Sequence, residues 1–443
     1  LPSDIPRLIK GRSSPHLRKA FPALLKLPSL WTRSYFLSTA GTVSSAIIAH
    51  SIERQSKVSP MPTVSKTFKY KLEPTAEQMR LLQRTVGLCN WLYNTALEQR
   101  ITAWKYHRVS LTCYQQHAEL PEIKEAFPEF KNVHSQVLQD VLTCLDKTYQ
   151  AFFARRKTGG KGGFPRFQGS HRYHSFTYKQ YQNGAYADNG FLVLSKIGRV
   201  KVLWSRPLEG TPKTVTISHE ADGWYVCFSC AGVEMPALPK TGQEVGVDVG
   251  IKSFLTTSDG VHVGNPQWLR KMEKQLKWHQ RRVSRRKQGS KRRKKAVAGL
   301  AKVYQTVRRQ REDFHHKQSV ALVKQYDVIY VEDLQVANMV KNHHLAKSIS
   351  DARWAQFRAI LTFKAACAGK SVVAVPPAYT SQDCSRCGMR VQKSLSVRTH
   401  ICPQCGLVMD RDENGATHVK WAGQALRGVP GLPGPLSRAS PRL

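Results

Sequence analysis

Three acidic residues lie far apart in the chain: Asp248 in EVGVDVGIKSF, Glu332 in DVIYVEDL and Asp412 in MDRDENGATHV. Each falls at the end of a predicted strand or the start of a predicted helix, so one compact fold can gather the three carboxylates around divalent cations. Hydrolysing a phosphodiester needs a deprotonated water, a held phosphate and a stabilised leaving oxygen, which two metal ions about 4 Å apart supply together. Carboxylate oxygens suit Mg²⁺, which keeps several waters and demands octahedral order. On this reading Asp248 bridges two Mg²⁺ ions, with Glu332 on one and Asp412 on the other. Asp410 competes with Asp412 for that place. The helix-start position of Asp412, with Asn414 two residues on, favours Asp412. Any one of these acids alone would be read as a cap or a surface residue; three at strand and helix ends in this order argue for a shared site.

CSRCG at 384–388 and CPQCG at 402–406 form two CxxC knuckles with fourteen residues between them. That spacing matches a tetrahedral four-thiolate zinc site, with Cys384, Cys387, Cys402 and Cys405 as ligands. With every apex filled by protein, the single Zn²⁺ is structural. Gly388 and Gly406 directly after the knuckles allow the tight turn that aims backbone amides at the sulfurs. Cys227 and Cys230 have a similar spacing but lie in a predicted strand, where positions three apart point to opposite faces. They are ordinary strand residues.

The elements that must position the acids follow from periodicity. Val245 to Phe254 reads as a strand carrying Asp248, with Gly246 and Gly250 leaving room beside the backbone for a phosphate and a metal. The SerAspGly turn at 258–260 returns the chain to a strand near 261–263, and such a three-strand meander opens an RNase H type of fold. Asp327 to Val331 is a buried parallel-type strand with Glu332 just past its end, where open α/β sheets place ligands. Ser371 to Val375 is the next strand, and Asp412 begins the last helix, whose N-terminus favours acidic groups. Between the first two acids lies a basic helical insertion: eleven of the nineteen residues from Lys277 to Lys295 are Lys or Arg and none is acidic. Such a run positions a phosphate backbone without reading bases.

Upstream, SKTFKYKL at 65–72 alternates as a strand. Residues 76–105 and about 133–156 show helical spacing, giving a small bundle with a basic outer face. FPRFQGSHRYHSFTYK, at 164–179, interleaves five aromatic rings with cations, as a nucleic-acid stacking surface does. Short strands over 190–233 suggest a small barrel completed by the strand at 65–72.

The formal charge of +39, from 69 Lys and Arg against 30 Asp and Glu, implies a polyanionic partner wrapped extensively. Ten cysteines in 443 residues do not make a secreted disulfide scaffold. A reducing cytoplasm fits these cysteines, and no apolar run reaches 18 residues, so no membrane-spanning helix is expected; the expected place is cytoplasmic, at the nucleoid of a prokaryote. Residues 1–60 precede the first Met, Met61, and are read as a disordered extension irrelevant to activity. The tail at 426–443, rich in Pro and Gly, is read as disordered as well.

Taken together these stretches resemble the TnpB (OrfB) family of insertion-sequence transposons, relatives of type V CRISPR effectors. The likeness runs from about Lys66 to Ala425 and includes FKYKLEPTAEQ, GVDVGIKSF, VEDLQVANM, TSQDCSRCG, CPQCG and DRDENGATHV. It implies an RNA-guided DNA endonuclease, often labelled a transposase, with a guide RNA from the transposon end and target DNA as partners. The implied fold class is α/β plus β-barrel. A first barrel strand at 61–75 is followed by a helical recognition lobe at 76–157 and a wedge-type β-barrel at 158–240. An RNase H-like (RuvC) nuclease domain then spans 241–425, with the zinc ribbon inserted at 380–408. It further implies Asp248, Glu332 and Asp412 as the catalytic triad; a monomer is the favoured form, on which the sequence itself is silent. GlyAlaThrHis at 415–418 departs from the family's last motif without removing a ligand. The alternatives are a nuclease-inactive nucleic-acid-binding regulator and an accessory transposase protein.

Overall fold

The computed structural model describes residues 63–428 except 161, 236, 395 and 396. The chain divides into two compact units, Leu1–Pro60 and Met61–Leu443, and every described residue belongs to the second. The extension at 1–60 and all of the expected tail beyond 428 therefore lie outside the described residues.

The N-terminal half is a seven-stranded antiparallel sheet joined to helices. Its strands are β1 (Thr63–Glu73), β2 (Ser175–Tyr178), β3 (Ala185–Asp188), β4 (Phe191–Leu194), β5 (Gly198–Leu203), β6 (Thr211–Glu220) and β7 (Gly223–Glu234), in the order β2-β6-β7-β1-β5-β4-β3. Alternation in β1 buries Phe68, Tyr70 and Leu72, as its sequence predicts. The strand lies mid-sheet, paired with β7 on one side and β5 on the other. The two edge strands, β2 and β3, are joined only by residues 179–184, which curls the sheet until it is nearly closed.

Thr75 caps helix α1 (Ala76–His107) through a capping box with Gln78, satisfying two backbone donors that the helix start would otherwise leave open. Short helices α2 (Cys113–Ala118) and α3 (Leu120–Ala126) lead to α4 (Ser135–Lys157). Buried Arg100 of α1 bonds Gln116 of α2 at 2.8 Å and Asp146 of α4 at 3.0 Å. Helices and sheet share one apolar core, in which Leu82, Leu92, Leu138 and Leu142 meet Phe176, Val215 and Phe228. Of the five rings at 164–179, Phe176 and Tyr178 are therefore core residues. Only Phe164 and Phe167 stand exposed in the preceding loop. Cys230 is buried and Cys227 half-buried on opposite faces of β7.

The second half is built on a five-stranded sheet, β10-β9-β8-β11-β12. Its strands are β8 (Glu244–Asp248), β9 (Ser253–Thr257), β10 (His262–Gly264), β11 (Val328–Glu332) and β12 (Ser371–Val375). The strand expected over 245–254 is broken after Asp248 into β8 and β9, which with β10 form an antiparallel meander, while β11 runs parallel to both β8 and β12. The basic insertion is a helical hairpin: α5 (Trp268–Lys271), α6 (Glu273–Ser284) and α7 (Lys291–Gln325). Beyond β11 come α8 (Val336–Met339), α9 (Ala346–Ala352) and α10 (Trp354–Cys367), and the chain ends in α11 (Arg411–Leu426).

Two-residue periodicity sorts the sheet's faces. Val245, Val247, Ile329 and Val331 face one core with Leu322 of α7 and Phe357 and Leu361 of α10. Val328, Tyr330 and Val375 face the other side, against Val419 of α11. The halves are tied by ions: Arg309 of α7 bonds Asp222 at 2.7 Å and Glu220 at 3.1 Å in the β6–β7 hairpin. Among the described residues no helix is long and apolar enough to cross a membrane.

Candidate active site

Asp248 is the last residue of β8 and Glu332 the last of β11. Val247 is paired with Val331, so the two acids follow in step at the same edge of adjacent parallel strands. Glu332 thus ends its strand rather than lying just past it. By the alternation above, both point to the α11 side, opposite the Val247 and Val331 face. Asp412 arrives from α11 itself. The three meet electrostatically: Asp248, half-buried at the strand end, has a carboxyl raised well above the ordinary range by its removal from water first, then by the charges of Glu332 and Asp412. Arg411 and the Val249 amide oppose this. Burial likewise raises Glu332, opposed by the Thr380 hydroxyl that donates to it.

Asp410 is not a free ligand. It is the N-cap of α11, accepting the amides of Asp412 at 2.7 Å and Glu413 at 3.3 Å. Helix α11 therefore starts at Arg411 and Asp412 is its second residue, a shift of one from the sequence reading. The cap uses the Asp410 carboxylate to satisfy backbone donors and leaves Asp412 as the acid of this pair that acts on Asp248.

The glycines have a different role from the expected one. A Cβ on Gly246 would lie 2.0 Å from the Ala416 carbonyl oxygen, and one on Gly423 would lie 2.0 Å from the Tyr330 ring. Missing side chains at 246 and 423 let α11 lie directly on β8 and β11. Gly250 is less crowded, its Cβ position meeting only the Ser253 carbonyl at 3.0 Å, and belongs to the β8–β9 turn. At Gly246 the space expected for a phosphate is taken by α11.

The four cysteines converge. Among the described residues they are the group whose candidate ligand atoms all lie within 4.8 Å of one another. Sγ–Sγ separations are 3.6 Å for Cys384–Cys405 and 3.5 Å for Cys387–Cys402, close to the about 3.8 Å edge of a tetrahedron with zinc–sulfur bonds of about 2.3 Å. The knuckles repeat one geometry. Gly388 N donates to the Cys384 carbonyl at 2.9 Å and Gly406 N to the Cys402 carbonyl at 3.0 Å, with φ of 73° and 70°. Burial pushes the Cys402 thiol up, but the amides of Cys405 and Gln404 and neighbouring thiols bring it down to about 6. A thiolate is the form that binds metal, so the residues present fit zinc.

The carboxylates do not close to the same span. Glu332 is engaged by Thr380, and Asp412 by Arg398 at 3.1 Å. All donors are oxygens, and half-buried Asp248 has two acidic neighbours, which fits hard divalent cations such as Mg²⁺.

One residue of the site escaped sequence reasoning and another has a different role from the expected one. Arg398 belongs to the segment between the knuckles, and nothing in its local sequence separates it from the other arginines. Asn414 is fully buried and bridges α11 to the first knuckle, accepting Ser385 N and donating to the Asp383 carbonyl, both at 2.9 Å. It fastens the zinc ribbon to the helix that carries Asp412.

Matches to known families place the chain first in a class, transposon-encoded proteins. Residues 216–343 match the OrfB family described as "Probable transposase", and residues 354–419 the "Cas12f1-like, TNB domain". Residues 61–108 match a "Helix-turn-helix domain", although here they form β1 and the single helix α1. Residues 2–55 match "Transposase IS200 like", a relationship that sequence reading did not find for the extension. A "Putative RNA-guided DNA endonuclease" of Streptomyces pristinaespiralis is 38% identical over 374 residues, 82% of this chain and 91% of that protein. The "Putative RNA-guided DNA endonuclease InsQ" of Escherichia coli K12 is 30% identical over 380 residues, 81% and 92% of the two chains. The chain belongs to the TnpB (OrfB) family. A solved structure of the mini-RNA-guided endonuclease CRISPR-Cas_phi3 aligns over 91% of this chain and 98% of that one, at 11% identity and a TM-score of 0.44.

Proposed function

We propose that the protein is an RNA-guided DNA endonuclease that cuts target DNA by two-metal-ion hydrolysis, leaving 5′-phosphates. The guide RNA derives from the transposon end, and the working form is a monomer. The observation that carries this reading is the convergence of Asp248, Glu332 and Asp412 on one face at the C-terminal edge of β8 and β11. The meander followed by two parallel strands supports an RNase H-like (RuvC) nuclease domain over 241–425. The curled sheet supports a wedge-type barrel.

Asp248, Glu332 and Asp412 would hold the two Mg²⁺ ions, which supply an activated water and neutralise charge on the leaving oxygen. Helix α11 lies directly against Asp248, with the Gly415 Cβ position 3.1 Å from its carboxylate oxygen. Thr380 orients Glu332 by a hydrogen bond, and Arg398 orients Asp412. Cys384, Cys387, Cys402 and Cys405 would hold one structural Zn²⁺, which would fix the ribbon that carries Arg398. The uncompensated positive charge grips RNA and DNA through their phosphates, so affinity falls steeply with salt.

The test is the Asp248→Ala protein, purified with its RNA and given matching DNA. Cutting is lost while RNA and DNA binding persist, and undiminished cutting would refute the assignment. Sequencing the copurifying RNA separates this reading from its rival. A discrete transposon-derived species supports guidance, whereas random RNA or none points to a regulator that does not cut.

A further inference from the structure

β11 and β12 end in step, with Glu332 paired to Val375, so the chain leaving β12 emerges at the edge where the acids lie. It leaves as Pro376, Pro377, Ala378 and Tyr379, all exposed, and each proline ring fixes its own φ. Thr380 then turns inward. It is buried, and its hydroxyl donates to the Glu332 carboxylate. Three residues on, the Asp383 carbonyl accepts the side chain of Asn414 at 2.9 Å, in the first turns of the helix that carries Asp412. The turn over 379–383 is therefore tied at one end to the second acid and at the other to the helix of the third.

Tyr379 is the exposed ring of that turn. Its carbonyl accepts the amides of Gln382 and Asp383, both at 2.9 Å, and its backbone sits at φ 64°, a left-handed conformation that a Cβ disfavours. Glycine would make the same turn without that strain, so the turn does not account for a tyrosine. Packing does not account for it either, because the residue is 52% exposed and its hydroxyl makes no hydrogen bond among the described residues. What the fold does supply is a backing for the ring. The Arg390 guanidinium lies 3.4 Å over the ring centroid and is itself held by the Asp383 carboxylate at 2.8 and 3.3 Å. A fixed cation thus covers one face, and among the described residues no second aromatic covers the other. Strained non-glycine residues gather at active sites and ligand clamps, and an exposed, rigid ring backed by an arginine is a surface on which a nucleobase stacks.

We propose that Tyr379 is a stacking platform for one unpaired base of the DNA strand being cut, beside the acid site. The base lies on the open face of the ring, and the strand runs on past Thr380 toward Glu332. The proposal rests on the nuclease reading and adds the group that docks the strand for cutting. Every base has a π face, so the platform serves any target sequence.

The test uses the full chain with its copurified RNA and matching DNA that carries 5-iodouracil, which photocrosslinks to an aromatic ring stacked on it, at successive positions around the cut. In Ca²⁺, so that no cutting is needed, one position crosslinks and the attached peptide contains Tyr379. Absence of a Tyr379 crosslink from every position overturns the platform, whether or not the protein cuts. In Mg²⁺, Tyr379→Ala slows single-turnover cleavage about tenfold, the worth of one lost stack, while Tyr379→Phe cuts at the parent rate. An abasic site at the crosslinking position slows the parent by the same factor and slows Tyr379→Ala no further. This comparison reads stacking rather than folding, because it alters the DNA and leaves the parent protein whole. Losses that multiply, or parent-level cutting by Tyr379→Ala, would overturn the platform. A parent that crosslinks through Tyr379 but does not cut in Mg²⁺ overturns the nuclease reading instead and leaves the stacking site standing.

Discussion

Gly246→Ala tests whether the seat of α11 on β8 sets the position of Asp412 against Asp248. The added Cβ falls 2.0 Å from the Ala416 carbonyl oxygen and 2.6 Å from the Lys420 nitrogen, both backbone atoms that cannot rotate away. Ordinary contact begins at 3.4 Å, so the helix must retreat by about 1.4 Å in a close-packed interior. Asp412 lies one helical turn from Ala416 and moves with it. Catalytic groups work within about 0.5 Å of their productive placement, and about 1 Å of misplacement costs about 100-fold in rate. Single-turnover cleavage is therefore expected to drop at least about 100-fold, although no proposed ligand is changed. Overpacking destabilises by about 1–3 kcal/mol, which lowers the thermal midpoint but leaves the chain folded and its cationic surface competent for RNA and DNA. Gly264→Ala, where an added Cβ meets nothing within 4 Å, is the silent control. Cleavage by Gly246→Ala within about threefold of the parent, under 1 kcal/mol of barrier, at an unshifted midpoint would refute the reasoning.

Further outcomes follow from the same geometry. Asp248 has its folded pKa raised, so in metal-free protein it favours the protonated form and lowers stability as pH climbs above the unfolded carboxylate value of about 3.9. Asp248→Asn should raise the metal-free melting temperature at pH 7, and that gain should vanish near pH 3; an equal gain at both values would contradict the half-buried, acid-crowded placement. Asn414→Ala strips partners from the Ser385 amide and the Asp383 carbonyl, a loss of about 2–4 kcal/mol readable by denaturant unfolding, with a loosened ribbon and slower cutting. A change under 1 kcal/mol would show that the bridge is dispensable. Elemental analysis should find one zinc per chain, absent from Cys402→Ser, and a zinc-free parent that melts normally would remove the thiolate site from the account.

Much of the site was legible because its chemistry is spelled in short patterns. The paired CxxC knuckles announce a closed sulfur site from spacing alone, and alternation around Val245, Val247, Ile329 and Val331 marks β8 and β11. Topological order then places Asp248 and Glu332 at one edge. What stayed hidden depends on tertiary approach. Gly246 looks like room for a ligand until α11 is laid over it, and Asp410 looks like a metal ligand until its carboxylate is found capping Asp412 and Glu413. Asn414 looked like part of a cation site, yet its amide faces Ser385 and Asp383. Phe176 and Tyr178 shared the pattern of a stacking surface with Phe164 and Phe167, and only strand pairing of β2 with β6 turns them inward. The helical and barrel stretches, separable by periodicity, share one core because β1 lies mid-sheet and the helices pack on it.

The placement of α11 has a consequence for how the protein is made. The helix is the last described element to leave the ribosome, yet it covers Tyr330 and Gly246 and delivers Asp412. Asp248 is polymerised about 160 residues earlier, some 8 to 32 s at ordinary elongation rates of about 5–20 residues per second. Until then the parallel pair β8 and β11 lacks one covering layer, and a chain cut short between residues 326 and 411 carries the basic helices without the third acid. On the proposed reading, in which Asp412 is the third metal ligand, such a nascent or truncated product holds nucleic acid but does not sever it.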